Sequence, residues 1–181
     1  MIDYDLYIFD IDGTLCDRDS TELYPHVVEW LEANNPKHIA LATNQGGVGL
    51  RYWMETNGFG EPEKYPTEND IKERINRIVT NILAVCPSAN ITPYVAYRYQ
   101  SRKGSWSPYP ENLTDEGKYQ WSETSRKPNG LMLRRAMKRH KVEPNHTIMV
   151  GDMETDKQAA ENNLAGCHFA WAHEFFRVGS G

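Results

Sequence analysis

Leu6-Tyr7-Ile8-Phe9-Asp10-Ile11-Asp12-Gly13-Thr14-Leu15 is the stretch whose reading decides the fold. Four apolar or aromatic residues run into two carboxylates and then a glycine. That pattern describes a buried strand ending abruptly at a polar turn. Alternation along the strand sets residues i and i+2 on one face, so Asp10 and Asp12 approach a common point while Ile11 turns into the core. Gly13 lets the chain reverse sharply. Two carboxylates this close repel, so both stay ionised only beside a cation; otherwise one of them takes up a proton more readily. An ionised Asp serves as a nucleophile and a protonated partner as a general acid. Taken alone, the pair also reads as a polar turn after a strand.

Working outward, short apolar runs alternate with helical patterns, which predicts a parallel sheet with helices on both faces. Pro25 to about Asn34 reads as a helix, stopped by Asn34-Asn35-Pro36, and His38 to Ala42 as a second strand that delivers Thr43-Asn44-Gln45-Gly46-Gly47. Ile71, Ile75, Ile78, Val79, Ile82 and Leu83 keep helical spacing in a long helix ending near Val85, with Thr67 or Asn69 as its cap. Tyr94 to Tyr99 is expected as the third strand, Gly130 to about His140 as a helix, and Thr147 to Val150 as the fourth strand, ending at Gly151-Asp152. A helix around Asp156 to Asn163 then leads to a fifth strand, Cys167 to Trp171. The stretches 46–66 and 101–126 break the alternation and are too long for ordinary connections. Both carry aromatic and basic residues, as recognition loops or lids do, although such aromatics equally pin loops to a surface.

The 181 residues fit one domain, expected over 1–178, with 179–181, Gly-Ser-Gly, as a flexible tail. A net charge of −5 excludes a protein that coats nucleic acid by bulk charge but leaves room for a local basic groove. Cys16, Cys86 and Cys167 are far apart and odd in number, which indicates neither a disulfide framework nor a cysteine zinc site. The first residues lack a signal-peptide pattern, and no apolar run approaches membrane-spanning length, so a cytoplasmic, membrane-free setting is expected. The six histidines show no ligand spacing and read as surface or packing residues.

In open parallel sheets, ligands sit beyond the carboxyl ends of the strands. Three predicted strand ends are chemically loaded: Asp10 and Asp12 on the first, Thr43 and Asn44 on the second, and Asp152 on the fourth, with Asp156 four residues later. Lys127 adds a positive charge near a helix start, where phosphate is also favoured. Together they describe a metal-assisted phosphoryl-transfer site. Mg²⁺ prefers oxygen ligands and binds through a few carboxylates plus phosphate, which Asp10 and Asp152 supply. Thr43 is placed to hydrogen-bond a phosphoryl oxygen, and Lys127 to neutralise developing charge. Singly, Thr43-Asn44 reads as a turn or cap, Lys127 as a surface charge and Asp152 as a capping residue. Jointly, in this order on these elements, they are difficult to obtain as decoration.

Over nearly its whole length the chain resembles the haloacid dehalogenase superfamily of phosphohydrolases. The resemblance rests on Asp10-Ile11-Asp12-Gly13-Thr14, Thr43-Asn44-Gln45, Lys127-Pro128 and Gly151-Asp152-Met153-Glu154-Thr155-Asp156. It implies a three-layer, Rossmann-like α/β fold without a large cap domain. It further implies a phosphatase in which Asp10 takes the phosphoryl group as an aspartyl-phosphate, and Asp12 protonates the leaving oxygen and then activates water. Thr43, Asn44 and Lys127 would hold the phosphoryl group. Mg²⁺ would be held by the Asp10 side chain, the Asp12 carbonyl and Asp152, with Asp156 in support. The forms Thr-Asn-Gln-Gly-Gly-Val and Arg-Lys-Pro-Asn-Gly look like the capless branch that contains histidinol-phosphate, heptose bisphosphate and polynucleotide 3′-phosphatases. Small-metabolite members of that branch commonly carry a zinc loop; 101–126 has no Cys and no His, so structural zinc is not expected here. The substrate is therefore expected to be a phosphorylated small molecule or a nucleic-acid 3′ end. Transfer to an acceptor other than water, and a non-enzymatic phosphate- or partner-binding module, are the alternatives.

Overall fold

Strand β1, Leu6–Phe9, is the middle strand of a five-stranded sheet in the computed structural model, which describes residues 3–177. In chain order there follow α1 (Pro25–Asn34), β2 (His38–Asn44), α2 (Gly46–Asn57), α3 (Glu68–Val85), β3 (Asn90–Ala96) and α4 (Asp115–Gln120). The remainder is α5 (Leu131–His140), β4 (Thr147–Gly151), α6 (Glu154–Glu161), β5 (His168–Trp171) and α7 (Ala172–Phe175). The spatial order is β3-β2-β1-β4-β5, and every neighbouring pair is parallel. The order reverses direction beside β1, the topological position at which open α/β sheets bind ligands.

Strict alternation in the strands builds the two cores. Phe9, Ile11, Ile39, Leu41, Ile148 and Val150 face α1 and α3, packing on Val27, Leu31, Ile71, Ile75, Ile78 and Ile82. Leu6, Ile8, Ala40, Ala42 and Met149 face the other way, onto Met132, Leu133 and Ala136 of α5 and Ala159 and Ala160 of α6. The fold is thus the expected three-layer α/β arrangement, and no large cap occurs among the described residues. Thr67 is the cap of α3: its Oγ1 accepts from Asp70 N at 3.1 Å while Asp70 Oδ2 accepts from Thr67 N at 3.0 Å.

Several boundaries differ from expectation. The stretch 46–66 is not an irregular loop, because α2 fills its first half; Gly49 brings this helix so near the Tyr97 carbonyl that any side chain there would collide. The stretch 101–126 contains α4, begun by Thr114 accepting from Gly117 N at 3.0 Å, and is pinned by buried Trp121. The third strand starts at Asn90, not Tyr94: Pro93 is tolerated because β3 is an edge strand. The α6 helix runs two residues earlier than expected. The tail expected at 179–181 lies outside the described residues.

Candidate active site

The carboxyl end of β1 is shaped by its turn. Asp10 N donates to Val150 O at 3.0 Å, continuing the pairing with β4, and Thr14 N and Leu15 N both return to Ile11 O at 3.1 and 2.9 Å. Gly13 takes a positive φ of 78°, and a side chain there would run into the Asp152 carboxylate. The turn therefore places Asp10 beside the end of β4 and Gly13 against the Asp152 carboxylate.

Lys127 is the hub. It is only 2 % exposed, so it is not a surface charge. Its Nζ donates to Asp10 Oδ1 at 2.9 Å, Asp156 Oδ1 at 2.6 Å and the Ala42 carbonyl at 2.8 Å. The three donors of an ammonium are thereby matched to three acceptors. Asn44 holds the lysine backbone from both sides, with Nδ2 donating to Lys127 O and Oδ1 accepting from Lys127 N, each at 2.9 Å. Asp156 Oδ2 accepts from the amides of Asp152 and Met153 at 3.2 and 3.1 Å. Asp156 is thus fully engaged inside the protein and braces both Lys127 and the Asp152 turn.

Carboxylate oxygens of Asp10, Asp152 and Asp156 all lie within 4.8 Å of one another. Burial pushes the Asp10 carboxyl up to about 7, against the opposing pull of Lys127, and Asp156 and Asp152 add to the rise. Asp152 is also raised, first by burial. Burial works against the Lys127 ammonium, yet Asp10 and Asp156 outweigh it and its value is raised. Three carboxyl groups face one ammonium, so their full ionisation would leave an excess of two negative charges. All the clustered donors are oxygens, so the set fits one hard divalent cation such as Mg²⁺.

Asp12 is only partly withdrawn from solvent. Its Oδ1 accepts from Arg74 Nη2 at 2.6 Å and its Oδ2 from Gln45 Nε2 at 3.2 Å. Arg74 is itself tied to the Ser20 carbonyl at 3.0 Å. Thr43 is 1 % exposed and its hydroxyl accepts from Gln45 Nε2 at 2.9 Å. The sequence reading missed Arg74 and Gln45 as partners of Asp12. One signal was present: Arg74 lies three residues after Ile71 and four before Ile78, on the stripe that should be apolar. A cavity of about 550 Å³ opens over the group, lined among others by Asp10, Asp12, Asn44, Lys127, Asp152 and Arg126.

Residues 124–172 match a family model described as HAD-hydrolase-like, a segment that carries Lys127, Asp152 and Asp156. No curated protein matches the sequence. The fold is similar to that of D,D-heptose 1,7-bisphosphate phosphatase from B. bronchiseptica, solved with magnesium and phosphate. Sequence identity is 19 % over 97 % of this chain and 86 % of that one, with a TM-score of 0.56. A HAD-like phosphatase from Mesorhizobium loti is 20 % identical over 93 % of this chain and 70 % of its own, with a TM-score of 0.51. Sheet order and site define a doubly wound α/β protein with an acidic, lysine-centred crevice at its switch point. More particularly, residues 124–172 match a HAD-hydrolase-like model, and the fold is similar to that of the two phosphatases.

Proposed function

We propose that this chain is a Mg²⁺-dependent phosphomonoester hydrolase working through a phosphoryl group carried on Asp10. The observation that carries this reading is the buried Lys127 bonded to both Asp10 and Asp156, with Asp152 beside them, so that three carboxyl groups share one ammonium. A structural ion pair does not require the third acidic group. Asp10, the Asp12 carbonyl and Asp152 would hold the cation, with Asp156 in support, and bound Mg²⁺ would balance the charge of the carboxylates and the phosphoryl oxygens.

A carboxylate oxygen of Asp10 attacks phosphorus, the ester P–O bond breaks, and the leaving oxygen takes its proton from Asp12. Water then attacks the aspartyl-phosphate and gives its proton to Asp12, which releases phosphate and restores Asp10. Lys127 holds Asp10 in position and offsets charge as it builds on the transferred group; Thr43 and Asn44 line the same end of β2. The uncapped mouth suits a phosphorylated small molecule or the 3′ end of a nucleic acid. Three free thiols fit a cytoplasmic setting, and no helix among the described residues is long and apolar enough to cross a membrane.

The test is phosphate release with Mg²⁺ across sugar phosphates, nucleotides, amino-alcohol phosphates and 3′-phosphorylated oligonucleotides. Asp10→Asn should lower the rate at least about 10³-fold with an unchanged circular dichroism spectrum. Full residual activity in that variant would sink the reading.

A further inference from the structure

The two carboxyl groups beyond β1 are restrained from different sides. Asp10 is held by Lys127, which lines the crevice with it. Asp12 also lines the crevice, but its cationic partner Arg74 belongs to α3 and is not among the lining residues. Arg74 thus reaches Asp12 from behind, out of contact with a molecule bound in front of it.

The guanidinium is fixed independently of the carboxylate. Nε donates to the Ser20 carbonyl at 3.0 Å and Nη2 to the Asp17 carbonyl at 3.3 Å, so backbone oxygens of the segment after the turn set its plane. From that seat Nη2 donates to Asp12 Oδ1 at 2.6 Å, a short charge-assisted bond. Gln45 Nε2 meets the other oxygen, Oδ2, at 3.2 Å and also donates to Thr43 Oγ1 at 2.9 Å. The two restraints are unequal: Oδ1 is anchored, and Oδ2 keeps the freedom to act on a ligand. The side chain of Arg74 is only 12 % exposed and stands between buried Ile71 and Ile78, where the helical stripe calls for an apolar residue. Tying α3 to the segment after the turn is not the distinctive part of its role, because Asn81 Nδ2 makes a second such tie, to the Thr21 carbonyl at 2.7 Å. What Arg74 adds is the contact with Asp12.

We propose that Arg74 is a positioning residue for proton transfer, fixing Oδ1 of Asp12 so that Oδ2 is presented to the leaving oxygen of a phosphomonoester. In that step a carboxylate oxygen of Asp10 forms the new bond to phosphorus, the electrons of the ester P–O bond pass to the leaving oxygen, and that oxygen takes the proton from Asp12 Oδ2. The proposal rests on the phosphatase reading above.

The test sorts leaving groups by their need for that proton. The probes are dinitrophenyl, nitrophenyl, phenyl and benzyl phosphate, whose leaving oxygens become steadily more basic, and kcat/KM with Mg²⁺ reports the steps through ester cleavage. Dinitrophenolate departs unprotonated, whereas a benzyl alkoxide needs the acid. Asp12→Asn sets the scale, with a loss that grows along the series. Arg74→Met should lose about 10- to 100-fold on benzyl phosphate yet stay within about 3-fold of the parent on dinitrophenyl phosphate, with an unchanged circular dichroism spectrum. Arg74→Gln takes its place should the methionine variant not fold, and Arg74→Lys should recover part of the loss. Added to Asp12→Asn, Arg74→Met should cost no more than about 2-fold further, because it acts through Asp12. Asn81→Ala, which cuts the other tie, should leave the profile as it is in the parent. An equal loss on all four probes, a further large loss in the Asp12→Asn background, or a profile that Asn81→Ala steepens as much as Arg74→Met does overturns the proposal and leaves the phosphatase reading standing. No Asp10-dependent release from any probe overturns that reading itself, and the proposal with it.

Discussion

Two clusters of polar side chains, one around buried Lys127 and one around buried His140, occupy opposite ends of β2, and they handle charge in different ways. At the carboxyl end, three carboxyl groups, Asp10, Asp152 and Asp156, face the single ammonium of Lys127. Toward the amino end, His140, 6 % exposed at the end of α5, shares a short contact with His38 (Nδ1 to Nδ1, 3.0 Å) and another with Thr92 Oγ1 (2.7 Å). Burial, then His38 and Arg139, push His140 down to about 4, so this histidine stays neutral near pH 7. The histidine sheds its charge inside the fold, whereas the carboxyl cluster holds more acidic groups than its one lysine balances, an arrangement suited to a cation that arrives from outside.

The sharpest way to break this contrast is Lys127→Met. It strands the buried carboxylates and should lower unfolding free energy by about 3–5 kcal/mol in chelator, read by urea denaturation. Little change would mean that the carboxylates are not charged in the fold. Mg²⁺ should act in the opposite sense, adding about 2.7 kcal/mol at a hundredfold excess over its dissociation constant. That gain should depend on pH in a direction fixed by Asp10. Its folded value, about 7, lies above the unfolded one of about 3.9. Stability from the neutral form is complete below the unfolded value and is lost as pH rises through about 7. Melting in chelator should therefore weaken over that rise, and the Mg²⁺-induced increase in Tm should be larger at pH 8 than at pH 5. An increase that shrinks with pH would count against the carboxylate cluster as the site.

The smallest effect belongs to the histidine cluster and carries the opposite sign. His140 has a folded value below its unfolded one of about 6.5, so its contribution is full above that pH and fades as pH falls toward 4. His140→Gln should flatten the part of the acid-side decline in Tm that this histidine causes. An unchanged slope would show that His140 is not held neutral.

The same contrast explains what could be read from the residues alone. Strand ends are marked by composition: Phe9 gives way to Asp10, and Val150 to Gly151-Asp152, so the elements meeting at the crevice were legible. Lys127 was legible as a participant but not as a buried one, because its acceptors come from β1, β2 and α6. Arg74 and Asp12 are 62 residues apart, a pairing that no local pattern encodes. The α2 helix was hidden by Gly46, Gly47 and Gly49, poor helix formers retained where the helix approaches other groups closely. The edge position of β3, which excuses Pro93, appears only once the sheet is assembled. The His38–His140–Thr92 cluster likewise joins three elements whose sequences carry no metal or catalytic spacing.

The central claim is that Asp10 carries the phosphoryl group, and rapid acid quenching during turnover tests it most directly. After proteolysis, mass spectrometry should find the peptide containing Asp10 heavier by one phosphoryl group, with borohydride reduction converting that same aspartyl-phosphate and Asp10→Asn abolishing the signal. Steady turnover with the phosphoryl group trapped on a different residue, or with undiminished release from Asp10→Asn, would contradict the account.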